Sequence, residues 1–490
     1  VTHMYLGLDI GTSAIKAVLC DEVQAIVAIA EVPLTVSRPA EHFSEQNPED
    51  WWRAVLSALG QLRAENAVAL ASVKAIGLAG QMHGAVLLDD QGNVLRPAIL
   101  WNDGRSAVEC GELEAAVPNF RELSGNIAMP GFTSPKLLWV KKNEPEIFAK
   151  TAKVLLPKDY VRYCLTGDYV AEISDAAGTL WLDVAKRDWS DDLLAAAGLD
   201  RSHMPRLVEG TDISGTVKPE IAEAYGLSKN VGVAGGAGDN AGGAVGIGAV
   251  QPGRAFLSLG TSGVLFLSNE SFSPNPADAV HAFCHCLPNT WHQMSVILSA
   301  ASCLSWVTKL TGAKDEASML EEIVSLGDID QKLLFLPYLS GERTPHNDPN
   351  AMGVFFGLTH DSDRAALGLA VLEGVAYAFA DGLDALLAAG AEIKHISVIG
   401  GGARSDLWGE ILASTLDCEL SYHEGGEVGP AFGAARLARL SIGGESIAKI
   451  CTAPKVIKVI KPDAKKREKY RKNLGRYRQL YNALKQEFTA

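Results

Sequence analysis

Two strings in this chain, LDIGTSA at residues 8–14 and LSLGTSG at residues 257–263, are nearly the same. Each stands between apolar runs, with IKAVL following the first and VLFL following the second. Each therefore reads as strand, tight Gly-Thr-Ser turn, strand. A chain that writes one hairpin twice, half its length apart, points to two related domains in tandem. The copies differ at one telling place, where Asp9 in the first is matched by Ser258 in the second.

The surroundings extend the duplication. Residues 5–10, 15–19 and 25–31 read as a three-stranded meander. A helix follows over 48–62, with Asn47 as its N-cap before Pro48 and acidic Glu49 and Asp50 in its first turn. Another strand, 73–78, runs into Ala79-Gly80-Gln81-Met82-His83-Gly84. After residue 250 the pattern restarts: strands at 254–259 and 264–267, helices at 297–310 and 364–387, then a strand at 395–399. That strand ends in Gly400-Gly401-Gly402-Ala403, and a helix over 405–415 follows. A last helix comes after Glu427-Val428-Gly429-Pro430. Strands alternating with helices place the chain among α/β proteins. The turn-prone Gln251-Pro252-Gly253 divides it into domains at 4–250 and 251–490. In the basic tail, Tyr470, Leu474, Tyr477, Tyr481, Leu484 and Phe488 fall at helical spacing, which predicts a helix packed on the body.

Composition excludes some classes. With 490 residues the chain exceeds what one core organises. A net charge of −14 argues against a nucleic-acid partner. No apolar run reaches the ~18 residues of a membrane span, so no membrane partner is expected. Eight scattered cysteines without a CxxC pair fit a reducing, cytoplasmic setting. Val1-Thr2-His3, ahead of Met4, is left aside.

A Gly-Thr-Ser turn offers consecutive backbone N–H groups and two hydroxyls at one point, a nest for anions. Two such turns facing across a cleft could clasp a polyphosphate. The chain contains no GxxxxGK[ST]. Gly236-Ala237-Gly238-Asp239-Asn240-Ala241 matches a loose dinucleotide pattern, but no acidic residue follows at the ribose-binding distance. Asp9, on an otherwise apolar strand, is either a carboxylate capping the adjacent turn or a ligand, direct or through water, for the Mg²⁺ that accompanies ATP. Asp239 is either an ordinary helix N-cap or a general base. His281, Cys284, His285, Cys286 and His292 cluster, but strand alternation sends Cys284 and Cys286 to one face and His285 to the other, which disfavours zinc. Ser262 and Ser299 lack the GxSxG setting of a hydrolase nucleophile.

The chain resembles the FGGY family of carbohydrate kinases along nearly its whole length. The resemblance rests on LDIGTSAIKAV at 8–18, IGLAGQMHG at 76–84, LRPAILWNDGR at 95–105 and GFTSPKLLWVKKN at 131–143. It continues through LLPKDYVRYCLTG at 155–167, SDAAGTLWLDVAKRDWS at 174–190, GGAGDNAGGAVG at 235–246 and LSLGTSGV at 257–264. In the second half it is carried by FLPYLSGERTPHNDP at 335–349, GVFFGLTH at 353–360, IGGGARSDLW at 399–408 and VGPAFGAARLA at 428–438. Gln81-Met82-His83-Gly84 points, within the family, to members acting on xylulose rather than on glycerol or ribulose.

The resemblance implies two tandem actin-like (ribonuclease H-like) ATPase domains around an inter-domain cleft, with sugar deep in the first and ATP on the second. By matching position, Asp239 would be the catalytic base and Asp9 the carboxylate near Mg²⁺. Met82 and His83 would contact the sugar, with Trp101, Asn102, Asp103 and Asn240 beside them. Gly11, Thr12, Ser13 and Lys16 would face the phosphates from one side, and Gly260, Thr261 and Ser262 from the other. Gly401, Gly402 and Ala403 would lie against the adenosine. The implied reaction converts ATP and D-xylulose to ADP and D-xylulose 5-phosphate, in a homodimer as is usual for the family. Rival readings are a kinase for another ketose, pentitol or polyol, an actin- or chaperone-like ATPase, and a non-catalytic sugar sensor. Retention of both Asp9 and Asp239 argues against the last.

Overall fold

Every strand of the duplicated pattern falls into one of two seven-stranded sheets. The computed structural model describes residues 2–424 and 429–489, so Val1 and the Glu427-Val428 stretch singled out above lie outside the described residues. The first sheet runs Ile213–Thr216, Gly232–Ala234, Val73–Gly80, Met4–Ile10, Ala14–Asp21, Ile26–Pro33, with Ala237–Gly238 also paired to Val73–Gly80. The second runs His281–Cys284, Trp291–Ile297, Gly263–Asn269, Arg254–Leu259, His395–Ile399, Leu420–His423, Val456–Ile460.

The two repeats occupy equivalent places. Met4–Ile10 pairs antiparallel with Ala14–Asp21 and parallel with Val73–Gly80, with Asp9 opposite Ala79. Arg254–Leu259 pairs antiparallel with Gly263–Asn269 and parallel with His395–Ile399, with Ser258 opposite Ile399. One more parallel strand follows in each, Ala237–Gly238 and Leu420–His423. A helix comes next, Asp239–Ile247 in the first repeat and Gly429–Ser441 in the second. These central strands carry almost only apolar residues because both faces are covered; Leu6, Leu8, Leu257 and Leu265 are fully buried.

The two helices pack on each other, and small residues make that packing close. A Cβ on Gly433 would stand 1.9 Å from the carbonyl oxygen of Gly242, and a Cβ on Gly7 or Gly77 would stand 1.8 Å from the carbonyl of Ala431 or Ala434. Helix Gly429–Ser441 therefore lies on the first sheet, although it follows the second in sequence.

The helix expected over 48–62 runs Pro48–Ala71, capped by Asn47 through a bond from the Glu49 amide. The helix expected over 297–310 is shorter: Trp291–Ile297 is a strand paired to Gly263–Asn269, and the helix is Ala301–Leu310. Ala300 and Ala301 instead donate their amides to the carbonyls of Thr261 and Gly260. Helix Arg364–Ala388 is long and apolar enough to cross a membrane by length and composition, but 89% of that window is buried inside the protein. Tail helix Ala464–Leu484 buries Tyr470, Tyr477 and Tyr481 on the second domain, and the Tyr477 hydroxyl meets that of Tyr338 at 2.7 Å.

Candidate active site

Three parallel strands end side by side in the first sheet. Asp9 and Ala237 flank Ala79 on its two sides, so the strand ends deliver Asp9, Gln81 and Asp239 to one edge. The Asp239 carboxylate opens helix Asp239–Ile247, whose N-cap is Gly238, so Asp239 is the first helical residue and not the cap. Its Oδ1 accepts from the Asn240 amide at 2.7 Å and from Asn240 Nδ2 at 3.1 Å. Burial raises its pKa to about 6 against those hydrogen bonds. Asp9 has an Oδ1 that is buried without a hydrogen-bond partner. Burial first, and the charge of Asp239 second, lift its pKa to about 7, opposed by Lys16, its register partner on the neighbouring strand. An orphaned carboxylate oxygen at a crowded acidic edge is the donor a hard divalent cation takes.

The first Gly-Thr-Ser turn is braced from beneath. Gln81 Nε2 donates to the Gly11 carbonyl and to Gln46 Oε1, and Gln46 Nε2 donates to the Thr12 carbonyl at 2.7 Å. Thr12 Oγ1 donates to Gln81 Oε1 and accepts from Trp101 Nε1, both at 3.0 Å. In the second turn the Gly260 and Thr261 carbonyls take the amides at the start of helix Ala301–Leu310, and Ser302 Oγ donates to Thr261 at 2.8 Å. Both turns thus bond inward, leaving the side chains of Ser13, Thr261 and Ser262 exposed.

Gln81 leads into Met82 and His83. Met82 lies beneath Gly238, where an added Cβ would stand 3.0 Å from its Sδ. His83 adopts φ +74, a conformation uncommon for a residue with a side chain. Its carbonyl is held by Thr133 Oγ1 at 3.1 Å and Lys136 Nζ at 3.3 Å. Its ring meets Phe132 edge-on at 4.8 Å, and its Nδ1 lies 2.8 Å from the Gly178 carbonyl. A carbonyl only accepts, so Nδ1 carries the proton. Burial, helped by the charge of Lys136, lowers the His83 pKa to about 3. The imidazole is therefore neutral, with Nε2 free to accept a hydroxyl.

A segment not singled out residue by residue lies behind both groups. Glu172 caps the short helix Ile173–Ala177 by accepting the Ser174 amide, and takes the Ser174 hydroxyl at 2.8 Å. Ser174 Oγ in turn accepts the Gly238 amide at 3.0 Å, immediately before Asp239. One residue past this helix, Gly178 holds His83. The segment is anchored by fully buried Lys158, bonded to Asp175 at 2.8 Å and Asp159 at 3.0 Å. Fully buried Arg162 clamps the carbonyls of Ala234 at 2.7 Å and Gly235 at 2.5 Å. Burial raises the Asp175 pKa, opposed by the charge of Lys158. The motif SDAAGTLW contains half of this bracket, but no spacing rule connects it to residues 60 or more positions away, as the Ser174–Gly238 bond does across 64.

The other residues spread out. Asp103 is buried and braces its own loop: Oδ2 accepts from the Ser44 amide at 2.6 Å and Arg105 Nη2 at 2.7 Å, and Oδ1 from the Arg105 amide at 3.0 Å. Asn102 is exposed, and Trp101 is 47% exposed despite its bond to Thr12. Gly401, Gly402 and Ala403 form a short turn after strand His395–Ile399, where a Cβ on Gly402 would stand 2.5 Å from Leu259. A cavity of about 170 Å³ runs from Asp239 and Asn240 past Ser258 to Ile399. A second, of about 520 Å³, begins at Ile399 and is lined by Gly400, Gly401, Ala403 and Tyr422. Ile399 lines both, so the two cavities adjoin as a trench between Asp239 and the glycine turn. His285 and Cys286 lie past the end of strand His281–Cys284, with His285 Nδ1 3.4 Å from Cys286 Sγ, so strand alternation does not separate them.

Known proteins resemble this chain along nearly its whole length. Residues 4–246 match the FGGY family of carbohydrate kinases, N-terminal domain, and residues 255–442 match its C-terminal domain. The chain is 52% identical over 482 residues to xylulose kinase of Escherichia coli (strain K12), covering 98% of this chain and 99% of that protein. It is 53% identical over 443 residues to xylulose kinase of Klebsiella pneumoniae, covering 90% and 91%. Among solved structures, a xyloylose kinase from Brucella ovis superposes with a TM-score of 0.96 at 51% identity, over 98% of this chain and 99% of that one.

Proposed function

The chain belongs to the FGGY family of carbohydrate kinases, and from that premise we propose that it transfers the terminal phosphoryl group of ATP to the 5-hydroxyl of D-xylulose. The observation that carries the reading is the pair Asp9 and Asp239 at the ends of the strands flanking Val73–Gly80, beside the Met82-His83 loop, with Asp239 lining the trench. The relatives above, xylulose kinases by name, support the choice of sugar.

Phosphoryl transfer asks mainly for positioning and charge stabilisation. Asp239, with Oδ1 occupied by Asn240, offers Oδ2 to take the proton of the attacking hydroxyl. A pKa of about 6 leaves it ionised yet basic at neutral pH. Asn240 fixes which oxygen does so. Met82 supplies an apolar wall and His83 Nε2 accepts a sugar hydroxyl. Trp101 and Asn102 line the entrance, and Asp103 acts through the loop that carries them. The amides of the Gly11-Thr12-Ser13 and Gly260-Thr261-Ser262 turns, with Lys16, face the phosphates. Gly401, Gly402 and Ala403 lie against the adenosine. Asp9 fits Mg²⁺ through its unpartnered oxygen; the ion, when bound, neutralises charge on the phosphates. Two domains around one trench allow water to be excluded when both substrates are bound, with 250–254 as the connecting turn. Work in the cytoplasm, where its free cysteines stay reduced, and assembly as a homodimer complete the proposal.

The test is ADP release over a panel of pentuloses, pentitols and glycerol. D-xylulose is expected to give the highest kcat/KM, and a preference for glycerol would overturn the assignment. Sedimentation reads the assembly.

A further inference from the structure

Resting on the reading above, one charged residue of the second domain stands in the sugar site without an assigned role. Arg343 follows the strand Leu334–Leu336 in the segment SGERTPHNDP, yet its Nη1 lies 3.3 Å from Nε2 of His281. The His281 ring packs edge-on against Phe132 at 5.5 Å, the same Phe132 whose ring meets His83. One aromatic thus joins a first-domain histidine and a second-domain histidine in a single wall.

The hydrogen bonds fix how Arg343 is held. Asn126 Nδ2 donates to the carbonyls of Ser124 at 2.8 Å and Ala282 at 3.1 Å, so its Oδ1 is an acceptor. It faces His281 Nδ1 at 3.0 Å, which must therefore carry the proton, leaving Nε2 to accept from Arg343. The remaining guanidinium nitrogens have no hydrogen-bond partner among the described residues, and Arg343 is half-buried rather than enclosed. No carboxylate pairs with Arg343 among the described residues. Its neighbour Glu342 accepts the amides of Leu298 and Arg343 at Oε1, and burial lifts its pKa to about 8 against those bonds and the charge of Arg343. Arg343 shares with Asp9, His83 and Asp239 the character of a cleft floor: partly wetted, yet with burial as the main influence on its charge. Its charge acts on His83 and His281. The wall therefore runs from His83 across Phe132 to His281 and Arg343, with Met82 on the Asp239 side beneath Gly238.

We propose that Arg343, held by His281, is a specificity-determining residue that reads the C1–C2 end of the ketose. With the 5-hydroxyl at Asp239, the far end of the sugar is the ketone oxygen and its neighbouring hydroxyl, two acceptors that can lie in one plane. A guanidinium presents two parallel donors in a rigid plane and matches that pair, whereas an ammonium does not. Reduction of the ketone to an alcohol removes the planar acceptor.

The test compares D-xylulose with xylitol, its reduction product, measured as a competing ligand. Arg343→Gln is expected to raise KM for D-xylulose about 10- to 100-fold, the range for a lost hydrogen bond to a charged donor. The inhibition constant for xylitol and KM for ATP should move less than about threefold, a split between ligands that a general loss of structure would not produce. Arg343→Lys should recover little of the loss. His281→Gln, which leaves the guanidinium but loosens it, should shift the xylulose-to-xylitol ratio the same way by a smaller factor. Equal loss for both sugars, or an unchanged D-xylulose KM, would overturn the proposal. Wild-type protein that does not phosphorylate D-xylulose would instead overturn the function reading, before any variant is made.

Discussion

Gly178→Ala separates sugar binding from every other property of this enzyme. The backbone at Gly178 has φ −79 and ψ 0, which alanine adopts without strain. The unfolded chain loses freedom on the change, which stabilises by about 0.4–1 kcal/mol. The new methyl, however, would stand 2.6 Å from His83 Cε1, 2.8 Å from His83 Nδ1 and 2.9 Å from Met82 Cε. Carbon atoms pack at about 3.5–4.0 Å, so roughly 1 Å of overlap must be relieved. Met82 can swing its terminal methyl aside. The His83 imidazole cannot move as freely, because Phe132 stands against its edge and its Nδ1 is bonded to the Gly178 carbonyl itself. Overpacking of this kind costs about 1–3 kcal/mol, so the net loss of stability should not exceed about 2–3 kcal/mol. The displacement falls on the two residues proposed to face the sugar, and a 1 Å misplacement at a reacting site can cost about 10²-fold. We expect kcat/KM for D-xylulose to fall about 10- to 100-fold, with KM for ATP unchanged. Steady-state kinetics with each substrate varied, beside a thermal melt, read both quantities. A folded Gly178→Ala protein with wild-type sugar kinetics would refute the placing of His83 and Met82 against the sugar.

Three further outcomes follow from the carboxylates. Asp239→Asn should lower kcat about 10²–10⁴-fold while calorimetry still detects D-xylulose binding; a loss of only about threefold would remove Asp239 as the base. Because burial holds Asp239 near a pKa of about 6 and the base must be ionised, kcat/KM should rise with pH through about 6 and level off above it; a limb falling with rising pH in that window would contradict the role. Asp9 has its folded pKa lifted from 3.8 to about 7, so its share of stability is present below pH ~4 and lost as pH rises through about 7. Asp9→Asn should therefore stabilise the metal-free protein at pH 8, by at most about 4 kcal/mol, and much less at pH 4, while impairing turnover at saturating ATP. Equal melting shifts at both pH values would show that Asp9 is not held protonated by its surroundings.

The amino-acid sequence on its own determined the duplicated plan, because both copies of the Gly-Thr-Ser hairpin and their flanking apolar runs are local patterns. The same holds for Asp9, a charge on an apolar strand, for Asp239 at the start of a small-residue helix, and for the aromatic face of the tail. Each is legible within a window of a few residues. Tertiary structure alone decided that residues 297–300 leave the helical pattern, since Ile297 pairs with Gly263, the Leu298 amide goes to Glu342 and the Ala300 amide to Thr261 some 40 positions earlier. It also turned Asp103 inward onto Arg105 and Ser44, and laid helix Gly429–Ser441 on the first sheet. It placed Ser174 behind Asp239, Gly178 behind His83, and Arg343 beside His281. None of these pairings has a period or a spacing, because each joins segments brought together only when the two sheets and their crossing helices pack. The pKa values that fit Asp239 and Asp9 for chemistry are of the same kind. They come from burial, and burial belongs to the folded chain rather than to any stretch of it.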